Sequence, residues 1–245
     1  MIFEGLLQGL TEFLPISSSG HLALIQLISQ QGSIESTVLL HLGTLLAVII
    51  FFRNDIIRIL RGLMRGLADS ETKLFLFIII GTIPAVVGGL VLRRTVDLIF
   101  HSSITTFALL AINGTFLLGT KFVQRRDREV NLTSALIIGI YQAIAILPGI
   151  SRSGATIAIG IYLGINPISA FRFSFLLSIP AILGAGVLEM SGTSASIATG
   201  WIGFLISFLS GLVALFILRH LVVQRLFYIF GVYCIIIGCV GLIFF

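Results

Sequence analysis

Long apolar runs alternate with short polar segments along this chain. Six of these runs cover residues 37–52, 75–92, 104–120, 168–188, 199–218 and 227–245. A helix needs roughly 20 predominantly apolar residues to cross a bilayer, and each run has that length or nearly so. The pattern predicts six spanning helices within one transmembrane domain over residues 1–245.

Two further apolar stretches, residues 1–30 and 132–165, are interrupted in the middle. The interruptions are PISSSGH at residues 15–21 and PGISRSG at residues 148–154. A polar break at membrane depth is tolerated only where it lines a cavity inside the protein. Because the arms are also too short to span comfortably, each stretch is predicted to be a re-entrant helix–loop–helix hairpin.

Positive charge predicts how these segments are oriented. Lys and Arg concentrate in the segments 53–73, 121–131 and 219–226, which should be cytoplasmic, whereas residues 93–103 and 189–198 carry few or none and should face outward. With this assignment the first hairpin starts and ends outside, and the second starts and ends inside. The two breaks are therefore expected to point toward each other from opposite faces of the membrane.

A short repeated sequence also indicates that the chain has two related halves. IPAVVG at residues 83–88 resembles IPAILG at residues 179–184, and each block follows its own Pro- and Ser-containing break. Chance recurrence in an apolar sequence is the alternative. Opposite orientation of the halves predicts an inverted repeat, residues 1–92 and 132–245, with a functional site near the midplane between them.

Composition and charge narrow the class of protein. The chain is 57% hydrophobic and 10% charged, whereas a soluble domain carries about 25% charged residues. The net charge of +5 does not indicate nucleic-acid binding, because the Lys and Arg lie mostly in short loops that set topology. We therefore expect an all-α polytopic membrane protein whose surroundings are a lipid bilayer.

The first break carries an unusual density of polar side chains. Gln8 and Glu12 lie one helical turn apart just before it. A charge inside a membrane segment is costly, so Glu12 is a candidate functional residue. The break itself supplies three hydroxyls and an imidazole: Ser17, Ser18, Ser19 and His21.

The second break has the composition of an anion site. Arg152 is flanked by Ser151 and Ser153, and Thr156 follows shortly after. A helix is expected to begin after Gly154, and the free amides at a helix start favour an anion. Since Arg can add a bidentate contact to phosphoryl oxygens, the pattern favours phosphate binding.

Together the two breaks suggest phosphoryl chemistry. Glu12 can hold a divalent cation shared with substrate phosphate oxygens. Ser18 is the favoured nucleophile, with His21 transferring the proton and Arg152 stabilising charge, and a metal-activated water is the rival nucleophile. A buried Glu12–Arg152 ion pair without chemistry is the structural alternative. The functional alternative is a transporter or flippase of a phosphorylated polyprenyl lipid.

These motifs resemble a known family. QGLTEFLPISSSGHL at residues 8–22 and PGISRSGAT at residues 148–156 look like the two signatures of the undecaprenyl-pyrophosphate phosphatases of the bacitracin-resistance type. The similarity extends to FSFLLSIP at residues 173–180. Some members of that family have a second Glu where this chain has Gln8.

The resemblance implies a function and a location. It implies hydrolysis of undecaprenyl pyrophosphate to undecaprenyl phosphate and inorganic phosphate, which recycles the lipid carrier for peptidoglycan synthesis and confers bacitracin resistance. It also implies dependence on Mg²⁺ or Ca²⁺ and a site open to the outer side of the bacterial plasma (inner) membrane. By motif position it assigns catalysis to Glu12, Ser18, His21 and Arg152, with metal binding at Glu12. Substrate contacts are expected from Gln8, Ser17, Ser19, Ser151, Ser153 and Thr156.

Glycines in the last apolar run leave the oligomeric state open. Gly231, Gly238 and Gly241 permit close helix packing, either within the fold or against a second copy in a homodimer.

Overall fold

The computed structural model describes residues 2–18, 20–21, 37–91, 96, 99, 102–124, 126–190 and 197–244. Over these residues the fold is helical, with an isolated bridge between Arg128 and Ile165 as its β-type contact. The helices are α1 (Ile2–Phe13), α2 (Thr37–Phe51), α3 (Arg53–Leu63), α4 (Ser70–Val91), α5 (Ser103–Gly119), α6 (Leu132–Ile144), α7 (Arg152–Tyr162), α8 (Pro167–Met190), α9 (Ile197–Val223) and α10 (Ile229–Phe244).

Four of the described helices are long and apolar enough to cross a membrane. They are α4, α5 with the 3₁₀ turn that follows it, α8 and α9. The bent pair α2–α3 makes a fifth span if it is counted as one. The all-α multi-pass prediction is confirmed, and the count of six spanning helices is not, because α10 has 16 residues and falls short of the length.

The predicted span at residues 37–52 ends in a sharp bend. α2 has 15 residues and so is about 22 Å long, less than the roughly 30 Å of a bilayer core. At Phe52 the chain turns by 69° into α3. Part of the segment 53–73, expected to be a loop, is therefore an amphipathic helix.

The bend is held by a charged cluster. Arg172 of α8 contacts Asp55 of α3 at 2.6 Å and Glu71 of α4 at 2.7 Å. Asp55 also pairs with Arg58 at 2.5 Å. These ion pairs connect three helices at the end of the molecule where Lys and Arg concentrate.

Four helix pairs dominate the packing. α1 and α2 both lie along α9, α6 lies along α4, and α5 lies along α10. Small residues allow the close approach: a Cβ at Gly139 of α6 would clash with the carbonyl oxygen of Gly81 in α4. The glycines of α10 pack against α5 in the same chain, with Gly231 close to Leu118 and Gly238 close to Ala111. That glycine face is therefore used inside the fold.

The two interrupted stretches are broken helices whose breaks meet. α1, α6 and α7 have 12, 13 and 11 residues, or about 16–20 Å each, too short to span alone. A Cβ at Gly154 would lie 3.1 Å from Cβ of Pro15. The second arm of the first hairpin, residues 22–30, lies outside the described residues.

Aromatic packing fixes the end of α1 beside the first break. Phe13 is fully buried and packs edge-on against Phe175 of α8, with ring centroids 5.6 Å apart. Phe175 in turn packs against Phe171 and Phe52. This cluster anchors Phe13, and therefore also holds its neighbour Glu12 in place.

Candidate active site

Glu12 and Arg152 form an ion pair that joins the two breaks. Nη2 of Arg152 lies 2.9 Å from Oε1 of Glu12, although the residues are 140 positions apart in the chain. The two side chains are 15% and 12% exposed. The prediction that the breaks face each other is thus realised as a direct contact between their charged residues.

The second oxygen of Glu12 accepts two further hydrogen bonds. Nε2 of Gln8 donates to it at 3.2 Å, and Oγ of Ser18 donates at 3.4 Å. Gln8 reaches it from one turn earlier on α1, and Ser18 reaches it from the start of the next helical segment. The Ser18 hydroxyl is therefore oriented toward a carboxylate that can accept its proton.

His21 makes different contacts from those expected. Its Nδ1 donates to the carbonyl oxygen of Ser17 at 2.8 Å, because a carbonyl can only accept. Nε2 is then the acceptor nitrogen and takes the Tyr233 hydroxyl at 2.7 Å, with the two rings stacked at 5.7 Å. Both ring nitrogens of His21 are engaged in these two bonds, whereas Oε2 of Glu12 accepts from Ser18.

Tyr233 was missed by reasoning from the sequence. It lies in α10, far along the chain from both breaks. A phenol in an otherwise apolar helix needs a polar partner, and this was the available signal.

Ser17 shapes the first break. Its φ of 65° lies in the left-handed region, which is strained for a residue other than Gly. Its Oγ accepts from the backbone N–H of Gly20 at 3.3 Å, so it caps the helical segment that contains Ser18 and His21. Ser17 is 2% exposed and acts here as a structural cap. Ser19, between these residues, lies outside the described part of the chain.

The second break places Arg152 at a helix start. α7 begins at Arg152 rather than after Gly154 as predicted, because Oγ of Ser151 caps it by accepting from the N–H of Gly154 at 3.2 Å. The turn before it contains Gly149 with φ of 96°. A Cβ at Gly149 would clash with the carbonyl oxygen of Thr106 in α5, so only Gly fits there.

The other hydroxyls of the second break hold the loop to its surroundings. Ser153 lies 3.2 Å from Oγ of Ser151. Thr156 donates to the Arg152 carbonyl oxygen at 2.8 Å and lies 2.6 Å from Oγ of Ser174 in α8. Ser151, Ser153 and Thr156 are at most 3% exposed. Direct contact of these hydroxyls with a substrate stays a prediction.

A cavity of about 310 Å³ opens beside Arg152. Its walls come mainly from the second halves of α4 and α8 and from the end of α6. The lining is largely apolar, and Gln142 and Arg152 bring polar groups into it. The sequence analysis did not identify Gln142.

The acidic residues near the site fit a cation only if the substrate supplies further ligands. No group of three or more His, Cys, Asp or Glu side chains converges among the described residues. Glu4 is eight residues before Glu12 on α1, a rise of about 12 Å, so the two cannot share one ion. Glu12, with oxygens of Gln8 and Ser18 nearby, offers the single carboxylate that Mg²⁺ commonly uses beside substrate phosphates.

The chain is similar to known proteins over nearly its whole length. The family model described as "Bacitracin resistance protein BacA" matches residues 1–240. A protein called undecaprenyl-diphosphatase from Korarchaeum cryptofilum is 42% identical over 247 residues, covering 96% of this chain and 94% of that protein. Proteins of the same name from Thermosipho africanus and Methanococcus maripaludis are 42% and 40% identical, covering 98% and 94% of this chain and 97% and 93% of their own. The chain belongs to the family of the bacitracin resistance protein BacA.

Proposed function

We propose that this protein hydrolyses undecaprenyl pyrophosphate to undecaprenyl phosphate and inorganic phosphate. The observation that carries the proposal is the Glu12–Arg152 pair, which joins an anion-binding helix start to a carboxylate that also contacts Ser18. The name shared by its relatives supports the same reaction. In a bacterium, the activity recycles the carrier for peptidoglycan synthesis and counters bacitracin.

Ser18 is the nucleophile in the proposed mechanism. Arg152 binds oxygens of the terminal phosphoryl group, and Oγ of Ser18 attacks its phosphorus. Glu12 takes the hydroxyl proton, since its Oε2 already accepts from Ser18. The bond from phosphorus to the bridging oxygen breaks and undecaprenyl phosphate leaves. Water then cleaves the phosphoserine and releases inorganic phosphate.

His21 positions the nucleophile in this scheme. Its bonds to Ser17 and Tyr233 hold the strained turn from which Ser18 projects. Because Ser18 donates to Glu12 and both ring nitrogens of His21 are engaged elsewhere, His21 acts on catalysis through the geometry of the loop.

A divalent cation, Mg²⁺ or Ca²⁺, belongs to the proposal as a group bound together with the substrate. Glu12 would hold it, with the amide oxygen of Gln8 as a further candidate ligand. The bound cation would neutralise charge on the pyrophosphate.

The proposed topology places the site on the outer side of the plasma membrane. The cavity beside Arg152 is lined by residues 82–90 of α4 and 180–184 of α8. These are the second halves of both helices, away from the ends at which Arg172 and Glu71 pair. Since the charged ends follow the positive-inside rule, the cavity falls in the outer half. Six spans with two re-entrant hairpins then follow if α2 and α10 cross in full, with α3 at the inner end of α2.

Helix pairing supports an inverted repeat. The first arm of the first hairpin, α1, packs along α9, and the first arm of the second hairpin, α6, packs along α4. The first arm of each hairpin therefore packs against a helix of the other half, as is expected of two interlocked halves.

Phosphate release by purified protein separates a phosphatase from a lipid carrier. In detergent no compartment exists, so a carrier releases nothing, whereas a phosphatase frees inorganic phosphate from undecaprenyl pyrophosphate. We expect release with Mg²⁺ or Ca²⁺ and its loss with a chelator. A folded sample that releases no phosphate under any of these conditions rejects the proposed function.

A further inference from the structure

Gln142 is a buried side chain that the proposed mechanism does not use. It lies near the end of α6 and is 2% exposed. Neither its Oε1 nor its Nε2 has a hydrogen-bond partner among the described residues. A buried polar group without a partner destabilises the fold, so it indicates a function that requires the group.

Gln8 in the first hairpin has a hydrogen-bond acceptor on its own helix, and Gln142 has none at the matching position. Both glutamines lie on the helix that enters a break, and Gln8 donates to Glu12 four residues later at 3.2 Å. Four residues after Gln142 stands Ile146, which offers no acceptor. The second hairpin therefore keeps the donor and omits the acceptor, which leaves the amide available to an acceptor from outside the chain.

Arg152 offers a second donor in the same place. Its Nη2 is bonded to Glu12, while its buried Nη1 has no hydrogen-bond partner in the described parts of the chain. Gln142 and Arg152 both line the cavity of about 310 Å³. Two donors in the lining of a largely apolar cavity fit a ligand with an anionic end and an apolar body.

The groups in and beside the cavity match the parts of a lipid pyrophosphate. Gln142 and Arg152 line the cavity together with apolar residues such as Leu90 and Pro180, whereas Glu12 and Ser18 are outside its lining and connect to it through the contact of Arg152 with Glu12. A polyprenyl pyrophosphate presents its chain, then the phosphate attached to the chain, and then the terminal phosphate. Ser18 faces the terminal phosphate in the proposed mechanism, so Gln142 corresponds to the attached one.

We propose that the Gln142 carboxamide, together with Nη1 of Arg152, binds the phosphate that remains on the lipid, while the first isoprenoid units occupy the apolar cavity. Nε2 of Gln142 is the donor, because phosphate oxygens accept. This assignment rests on the proposed function. It makes Gln142 a contact for both the substrate and the lipid product.

The test compares Gln142→Leu with the wild type in phosphate-release kinetics with undecaprenyl pyrophosphate. Loss of one hydrogen bond to an anion should raise KM about tenfold, equivalent to about 1.4 kcal/mol. The inhibition constant of undecaprenyl phosphate should rise equally. The kcat should stay within about threefold, because the lost hydrogen bond stabilises the bound substrate and the transition state to the same extent. Gln224→Leu, the same change at an exposed turn, should leave KM and the inhibition constant unchanged.

An unchanged KM and inhibition constant in folded Gln142→Leu would overturn the assignment, as would a fall confined to kcat. Gln142→Glu keeps the side-chain shape and decides the case if the Leu variant does not fold. Its negative charge should raise both constants, and unchanged constants would overturn the assignment. If the wild type releases no phosphate, the proposed function fails. Direct binding of undecaprenyl phosphate to wild type and Gln142→Leu then tests Gln142 without turnover.

Discussion

Three side chains donate hydrogen bonds to Glu12, and they come from both breaks. Arg152 binds one oxygen, while Gln8 and Ser18 bind the other. A carboxylate held this way is fixed in position and close to a hydroxyl. These are the properties of a base that positions and activates a nucleophile.

Ser18→Ala tests the nucleophile. If Oγ of Ser18 attacks phosphorus, the variant should lose turnover by at least about 1,000-fold, since the covalent step is removed. Phosphate release is the measurement, and acid-quenched wild type should contain phosphoserine in the peptide with Ser18. Partial loss without a trapped adduct would instead favour attack by water.

Reasoning from the sequence singled out Glu12 and Arg152, which the structure brings into contact, because polar residues are rare in such a chain. Glu12 and Arg152 stand out against an apolar background, and their contact follows from the predicted topology. The partner of His21 could not be predicted, since Tyr233 is 212 residues away and no periodicity links them. Gln142 was missed for another reason: only the packing shows that its side chain is buried without a hydrogen-bond partner among the described residues.

Among the helices, close backbone approach and bending decide the arrangement. α4 and α6 touch through Gly81 and Gly139. α2 and α3 are separated by a bend of 69°. The apolar run 37–52 predicted α2 correctly, but hydropathy does not report the direction in which a chain leaves the membrane. The Arg172 ion pairs that hold α3 depend on tertiary contacts.

Gly139→Ala tests the α4–α6 contact. The added Cβ would clash with the Gly81 carbonyl oxygen, and overpacking of this kind costs about 1–3 kcal/mol. We expect a lower free energy of unfolding, measured by denaturation in detergent. Gly186→Ala is the matched control, because a Cβ there meets no heavy atom within 4 Å. Equal stability of the two variants would contradict the close packing of α4 on α6.

In the whole molecule, the two interrupted segments meet at the contact between Glu12 and Arg152. The IPA blocks that suggested the repeat do not occupy equivalent places, because α8 follows the second hairpin directly whereas α2 and α3 precede α4. They lie instead in facing walls of the cavity beside Arg152. The packing of α1 on α9 and of α6 on α4 supports the repeat hypothesis better than the similarity of the two IPA blocks does.

Cysteine labelling in intact cells tests the topology. Ser103→Cys at the start of α5 should react with a membrane-impermeant maleimide, since this end is predicted to face outward. The exposed position Glu129 should react, as Glu129→Cys, only after permeabilisation. The background carries Cys239→Ala, and the parent protein without a new cysteine is the control. Labelling with the opposite sidedness would invert the orientation and place the cavity on the cytoplasmic side.

The rate of phosphate release from undecaprenyl pyrophosphate by Arg152→Gln and Arg172→Gln tests the central claim most directly. Both arginines pair with carboxylates, but Arg152 joins the two breaks and Arg172 joins α8 to α3 and α4. Per folded molecule, Arg152→Gln should lose about 100- to 1,000-fold, the effect of removing one group that stabilises transition-state charge. Arg172→Gln should stay within a few-fold of wild type and lose mainly stability. Ordinary turnover by Arg152→Gln, or equal losses in both variants, would contradict a phosphoryl site between the two breaks.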